Sequence, residues 1–583
     1  MTLRRWLALV FLASTTSACS TVTTGPTDAG SCTGRDSGVD GPTEPTDTGA
    51  CSIEDTGTRS DVAKSGSECG AAKSDAGSPA LVTLGVTGGL TLVPDFSPYV
   101  FDYYMQCSAG SNSVTVSVKA GPGMSSSLSV ETPASPHGTS KSVGGAAPEQ
   151  TVTVSLEEGQ AIVATATEGT TQNEYWIRCL PEGFPPNMQW NSHSNGCERT
   201  PGYYLIGTMS SGSPGWAIVF DTNGVPVWYK GNAGAAVYDV ETLVPGDISF
   251  FEGGWQNNQL GVSTLQPIVD GYEGGAPGTP DEHELRILSN GHYIALSSAA
   301  EPGVNLTGLS VPQLDGGLLT YGPNTTIYAC YIQEFDPKTG QVYWQWSATD
   351  HFNPVKVMVL KGNGDLAETE AEPFHCNAID VDPANGNLLV SARNTNSIFY
   401  IEKSTGKVLW KMGGAGLESC LDEPPPIYVP VADPFAGQHD ARLQPGWKET
   451  CSGGSGQISL FDDESYSMNP ARGVLYDVIV NNGSGCAGGT TGTTGATRIW
   501  DYATSENVPT QVCGGFRISS DGSRIIGWGQ SDPSPNGLVF TEVDEKGNDL
   551  LDLICPDDSS SYRAVKVPLS AFDLSVLRST SGQ

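Results

Sequence analysis

Apolar and polar positions alternate over short stretches from about residue 79 onward, as in Val114, Val116, Val118 and Val152, Val154. A period of two belongs to strands with one buried face. The spacing predicts strands at Ala80–Val86, Tyr99–Gln106, Ser113–Lys119, Thr151–Ser155, Ala161–Thr167 and Asn173–Cys179, separated by glycine-rich turns. Residues 79–182 therefore read as a β-sandwich. From about Gly183 a second pattern begins and repeats: an apolar residue, a turn with Gly, an apolar pair and then often Trp. Its clearest copies are Phe220 to Trp228, Phe335 to Trp346 and Ile401 to Trp410, with degenerate copies ending at Trp500 and Leu551. Such a hairpin is the outer half of a four-stranded propeller blade. Trp346 to Trp410 spans 64 residues and Trp228 to Trp346 spans 118, close to two such periods, which places a missing copy near Leu260–Asp270. The expected fold class is all-β: a six-bladed β-propeller over residues 183–577, preceded by the small sandwich.

The N-terminus changes the setting. Arg4 and Arg5 precede the apolar run Trp6–Ala13, and small residues lead to Cys19, the pattern of a secretory signal over residues 1–19. Thr16-Ser17-Ala18-Cys19 resembles a bacterial lipobox, with Thr16 where Leu is usual. That resemblance implies a lipid anchor at Cys19 and export to the bacterial outer membrane or cell surface, or to the periplasm without the anchor. Residues 20–78 are rich in Ser, Thr, Gly and Asp and hold no aromatic residue and no Leu. Such a segment cannot bury enough apolar surface to offset its ordering entropy and reads as a disordered tether.

Charge and cysteines narrow the classes further. With 64 acidic against 29 basic residues, a formal charge of -35 and no basic cluster, the chain is not expected to bind nucleic acid. No stretch after the signal is long and apolar enough for a membrane span, so the only expected membrane contact is the anchor at Cys19. Fourteen cysteines in an exported chain suggest disulfides, and Cys107 to Cys179, near the two ends of the sandwich, is the expected pair. No CxxC spacing occurs, which argues against a zinc ribbon.

Chemistry rests on three histidines in similar surroundings, each just before a strand. They are His283 in Asp281-Glu282-His283-Glu284, His375 in Phe374-His375-Cys376-Asn377, and His439 in Gln438-His439-Asp440-Ala441-Arg442. The offsets are 92 and 64 residues, about one blade each once loops are allowed for. Equivalent positions on successive blades converge at one mouth of the channel. A buried core has no need of a ring of imidazoles.

Two stretches resemble known families. Leu90-Thr91-Leu92-Val93-Pro94-Asp95-Phe96, followed by Tyr99 to Tyr104, looks like the cadherin-like β-sandwich modules of bacterial surface proteins, which implies a stalk or spacer. From Pro201 to about Pro568 the chain resembles the bacterial arylsulfate sulfotransferases. The resemblance lies in Phe374-His375-x-Asn377, Ser391-Ala392-Arg393-Asn394, Gly406-x-Val408-Leu409-Trp410-Lys411-Met412-Gly413-Gly414, and Gln438-His439-Asp440-Ala441-Arg442. Ile458 to Asp463 and Ser561-Tyr562-Arg563 add to it. It implies an enzyme that moves a sulfuryl group from an aryl sulfate ester to a phenol through a covalent sulfohistidine, without a nucleotide donor, a cofactor or a metal. His439 corresponds to the transient acceptor, and His283, His375, Asn377 and Arg393 to its supporting residues. No glycine-rich phosphate loop followed by Lys-Ser/Thr occurs. Because the overall charge repels an anionic donor, a local positive mouth built around Arg393 is expected. The family includes dimers, so a homodimer stays open as an alternative to a monomer.

Cys376 neighbours His375, but adjacent strand residues face opposite sides. Asp440 is a candidate to orient His439, and His351 a candidate to border the channel. Asp462 and Asp463 read as solvated or structural turn residues, and Arg563 as a packing or surface residue, with reach into the site from the last blade as the alternative. Two rival functions remain. One is a non-catalytic propeller binding a glycan or protein at a surface, suggested by the stalk, the anchor and the inserts Gly253–Pro280 and Pro424–Pro434. The other is a metalloenzyme with zinc or copper on His283, His375 and His439.

Overall fold

The computed structural model describes residues 79–582 apart from 134–137, 194–198, 210–213, 233–235, 260–265, 268–278, 313–316, 361–368, 466–468, 505–509, 532–536 and 557–559. The signal segment, Cys19, the tether and His137 lie outside the described residues, as does most of Leu260–Asp270. No described helix is long and apolar enough to cross a membrane.

Alternation builds the sandwich as expected, with two strands more than the pattern predicts. One sheet orders Leu81–Thr87, Asn112–Ala120 and Glu149–Leu156. The other orders Asp102–Gln106, Thr171–Leu180, Ala161–Glu168, Ser125–Thr132 and Thr139–Ala147. The last two escaped the pattern because SSSLSVET and TSKSVGGAA carry few apolar residues to alternate. Val114, Val116, Val118, Leu128, Ile162 and Ile177 form the core between the sheets. Cys107 and Cys179 are bonded within it, and Cys330–Cys376 and Cys451–Cys486 are bonded further along.

The sandwich is not a loosely hung spacer. Tyr104, Leu180 and Phe184 join one apolar cluster with Tyr203, Trp216 and Tyr229 of the following region. Asp102 lies between Arg178 Nη1 at 2.9 Å and Arg578 Nη2 at 2.7 Å, and Arg578 belongs to the C-terminal helix Leu574–Thr580.

Beyond residue 188 the described residues form six antiparallel-based sheets of four or five strands. The Trp-bearing hairpins of the sequence are their outer halves: Gly215–Phe220 with Pro226–Asn232, Thr325–Phe335 with Val342–Ser347, and Ser397–Ile401 with Val408–Met412. Beside the undescribed residues of Leu260–Asp270, Trp255–Gln259 pairs with Gln266–Pro267. The opposite edge of each sheet is one strand: Ser560–Pro568, Tyr238–Glu241, Thr279–Ile287, Cys376–Val381, His439–Leu443 and Gly515–Ile518. These edge strands pack against one another in that order, the last against the first. The region is all-β and propeller-like, with an axial space lined by these strands.

Several of the lining strands break their register at one level. Shifts occur between Tyr238 and Glu241, Pro280 and Leu285, Cys376 and Ala378, and His439 and Arg442. Asp239, His375 and Asp440 have left-handed φ of 47°, 48° and 58° there. A bulge re-aims side chains and lets neighbours in sequence share a face. Through it His439 and Asp440 both serve the axis, which plain alternation forbids.

Candidate functional site

The three histidines meet at the bulged level of three successive sheets. Ring centroids are 4.9 Å apart for His283 and His375, 6.1 Å for His283 and His439, and 6.0 Å for His375 and His439. One nitrogen from each lies within 4.8 Å of the others. None of the three residues is more than 5% exposed. Tyr562 closes the group, its ring 5.4 Å from His283 and 6.2 Å from His439, and its hydroxyl donates to the Asn377 carbonyl at 2.9 Å.

Each imidazole has its own carboxylate on Nδ1. Asp281 Oδ1 lies 2.6 Å from His283, Glu372 Oε2 lies 2.8 Å from His375, and Asp463 Oδ2 lies 2.6 Å from His439. That leaves Nε2 of His283 and of His439 buried with no hydrogen-bond partner among the described residues. A carboxylate on Nδ1 fixes both ring orientation and tautomer and presents Nε2 as the working atom.

The rings differ in charge. Burial works against an imidazolium at His283, but the Asp281 carboxylate, with Glu282 and Glu372 nearby, outweighs it and raises its pKa to about 9. At His439 burial, then His375, His283, Arg393 and Arg563, all act the same way and push the pKa well below the ordinary value, so this ring is neutral. Burial pushes the Asp463 carboxyl up while the Arg393 guanidinium opposes it. Glu282 is raised to about 8 by burial and by Asp281.

Arg393 begins the short turn after Leu388–Ala392, where its amide donates to the His375 carbonyl at 2.9 Å. Its guanidinium donates to Asn394 Oδ1 at 2.8 Å and Ser465 Oγ at 3.3 Å. Asn394 in turn donates to the Glu372 carbonyl at 2.7 Å, so the cation is tied to the His375 partner. Asn377 does not offer its amide N–H to the imidazoles; Nδ2 donates to the Gln438 carbonyl at 2.8 Å and anchors the residue before His439.

Beneath this cluster the axis is crossed by paired charges. Arg563 reaches Asp239 at 2.5 Å, Glu284 at 3.0 Å and Asp440 at 3.2 Å. Arg442 pairs with Glu284 and Asp440, Arg517 with Asp440 at 2.8 Å, and Arg286 with Glu284 at 2.9 Å. Burial opposes the charge of Asp440, yet Arg517, Arg563 and Arg442 hold its pKa below the usual range. Gly515 is a glycine because a Cβ there would sit 2.9 Å from Arg563 Cγ and 3.0 Å from Asp440 Oδ2. On the far side a cavity of about 370 Å³ is lined by Arg286, Arg442, Arg517 and Asp380.

Several expectations need correction. Asp440 does not orient His439; it serves the arginines, and Asp463 holds the ring instead. Asp462 and Asp463 are enclosed rather than solvated. Arg563 is not a surface residue but is buried on the axis. His351 stacks on Trp346 and pairs with Asp422 at 2.8 Å, apart from the three rings. Positive charge does not centre on Arg393 alone; Arg563 and His283 share it, against Asp281, Glu372 and Asp463. Asp281, Glu372, Asp463 and Tyr562 were not assigned from the sequence. An acid within three residues upstream signals the first two, and nothing local signals Asp463.

Residues 292–533 match the family model described as arylsulfotransferase (ASST). That segment belongs to the arylsulfotransferase family. It holds His375, Asn377, Arg393, His439 and Asp463, while His283, Tyr562 and Arg563 lie outside it. No curated protein matches the sequence. Among solved structures the chain is similar to the Dos1 propeller, at 8% identity over 60% of this chain and 66% of that one, with a TM-score of 0.25. It is similar to Hsv2 of Kluyvelomyces marxianus at 10% identity over 70% and 94%, with a TM-score of 0.25. A luciferin-regenerating enzyme is similar at 10% identity over 66% and 100%, with a TM-score of 0.27. The cadherin-like resemblance of the sandwich found no counterpart among these matches.

Proposed function

We propose that this arylsulfotransferase-family protein moves a sulfuryl group from an aryl sulfate ester to a phenol through a sulfohistidine at His439. The observation that carries the reading is the neutral, enclosed His439 ring, its Nδ1 held by Asp463 and its Nε2 without a partner beside two further imidazoles. A neutral imidazole nitrogen is a competent nucleophile, and a covalent step splits one displacement into two easier ones. Arg393 and Arg563 supply fixed positive charge near the sulfuryl oxygens. His283, carrying a proton up to a pKa of about 9, protonates the leaving phenolate and takes the proton from the incoming phenol. The crevice beside His375 measures about 10 Å³, so the mouth must widen to admit an aryl sulfate.

In this reading each of the six sheets is one blade of a six-bladed propeller, and the chain acts after export, anchored through Cys19. Kinetics with a chromogenic aryl sulfate and a series of phenols test the reaction. Ping-pong behaviour, with transfer lost in His439→Ala, is the expected result; full transfer by that variant overturns it.

A second reading is favoured by one feature. Three imidazoles whose nitrogens lie within 4.8 Å, each backed by a carboxylate, also suit a zinc or copper ion. Arg393 and Arg563 oppose a cation there. Stoichiometric metal in the purified protein, with activity lost to a chelator, would decide for the metal.

A further inference from the structure

The carboxylate partners of the three rings do not come from equivalent places. Asp281 and Glu372 stand two and three residues before their histidines, on the same approach to the lining strand. Asp463 comes from across the strand pair in which His439–Leu443 lies against Gly453–Asp462, with His439 opposite Phe461. It follows that strand directly and opens a turn that is fixed on all sides. Asp462 accepts from the Ala436 amide at 2.9 Å, from the Glu464 amide at 3.2 Å and from Arg472 Nε at 3.0 Å. Glu464 adopts a left-handed φ of 51°, and the Ser465 amide donates to the Ala436 carbonyl at 3.1 Å. Ser465 Oγ accepts from Arg393. One rigid turn therefore delivers a carboxylate to His439 and a hydroxyl to Arg393.

We propose that Asp463 is a positioning residue for sulfuryl transfer: it accepts the Nδ1–H of His439 and so keeps the Nε2 lone pair directed at the space shared with His283 and His375. The inference rests on the sulfohistidine reading above and names the residue that orients His439 for attack. In the first step the Nε2 lone pair forms the N–S bond, and the S–O(aryl) bond breaks with its electron pair leaving on the phenolate oxygen. The phenolate takes a proton from His283. The Nδ1 proton stays in its hydrogen bond, and the sulfonated ring, now cationic, faces the Asp463 carboxylate. In the second step the acceptor oxygen forms the new S–O bond, its proton passes to His283, and the N–S electron pair returns to Nε2. Asp281 and Glu372 bond to the rings of His283 and His375 instead, so Asp463 is the carboxylate that reaches His439.

The test uses the full chain with 4-nitrophenyl sulfate, following the pre-steady-state burst of nitrophenol, the donor KM, and the His439 tautomer by 15N NMR. Asp463→Asn is expected to slow the burst roughly 10³- to 10⁴-fold, the scale seen when a His-orienting carboxylate becomes an amide. The donor KM should stay within about threefold, since the carboxylate does not touch the substrate. Asp463→Glu should recover at least about tenfold of the loss, because a carboxylate is restored. A burst that survives in Asp463→Asn overturns the inference and leaves the reaction standing. If that variant does not fold, the wild-type tautomer decides: a proton on Nδ1 supports the inference and a proton on Nε2 of the neutral ring overturns it. A wild-type chain with no burst removes the sulfuryl-transfer reading, and the inference with it.

Discussion

In the sandwich, Val114, Val116 and Val118 leave one face of Asn112–Ala120 and meet Ile162, Ala164 and Ile177 across the gap. In the channel, strands of the same kind send Glu284, Arg286, Asp440, Arg442, Arg517 and Arg563 to a common axis. Both are interiors, but what holds them together differs. The sandwich is held by removing apolar surface from water, an interaction without direction. The channel is held by groups that must each find a partner of opposite charge, since a lone buried charge costs far more than it returns. The first interior depends on close packing of apolar side chains. The second underlies three imidazoles whose Nδ1 atoms are each held by a carboxylate, which is the orientation a nucleophile needs.

The comparison can be broken most sharply at Arg563. Arg563→Met leaves Asp239, Glu284 and Asp440 short of a cation, and should cost about 3–5 kcal/mol in guanidinium unfolding and abolish transfer. A cost below about 1 kcal/mol would place the channel's stability elsewhere. In the sandwich, Ile177→Ala should cost about 3 kcal/mol, while kcat and KM stay unchanged; a change in either would mean that the two interiors communicate.

Solution pH separates the regions next. His283 holds its proton to about 9, against an ordinary 6.5, so its contribution is full below pH 6.5 and is lost as pH rises through 9. The size is at most about 3 kcal/mol. Glu282, raised to about 8, and Asp239, raised to about 7 mainly by burial, push the same way. Asp102 behaves oppositely: burial works against its charge, but Arg578 and Arg178 hold its pKa below 3.8, so its contribution is present above that value and lost only as pH falls. Between pH 6.5 and 9, hydrogen-exchange protection factors, corrected for the intrinsic rise of exchange with pH, should fall around the channel and hold in the sandwich. The smallest expected effect is at Tyr562→Phe, which removes the bond to the Asn377 carbonyl. It should cost about 1 kcal/mol and slow transfer less than tenfold.

How much was readable follows the same division. Alternation revealed strands wherever one face is apolar, and failed at Ser125–Thr132 and Thr139–Ala147, whose Ser, Gly and Thr leave no contrast. Turn glycines and Trp marked the outer hairpins. The lining strands were visible only through their histidines, because charged residues on an enclosed axis look like ordinary surface in a sequence. The convergence of His283, His375 and His439 was legible from their repeated setting. Asp463 was not: it lies 24 residues from His439, and only the pairing of Gly453–Asp462 with His439–Leu443 brings them together. Asp440 was the candidate to orient His439, and the bulge that turns it to the arginines leaves no mark in composition.

In the proposed reaction His439 carries the sulfuryl group between donor and acceptor. Incubating the protein with an aryl sulfate in the absence of a phenol, quenching, and reading the peptide that holds Gln438-His439-Asp440 by mass spectrometry tests this directly. The account predicts one sulfuryl group on His439, lost when phenol is added and absent from His439→Ala. An active preparation whose label sits on another residue, or that transfers without any label, contradicts it.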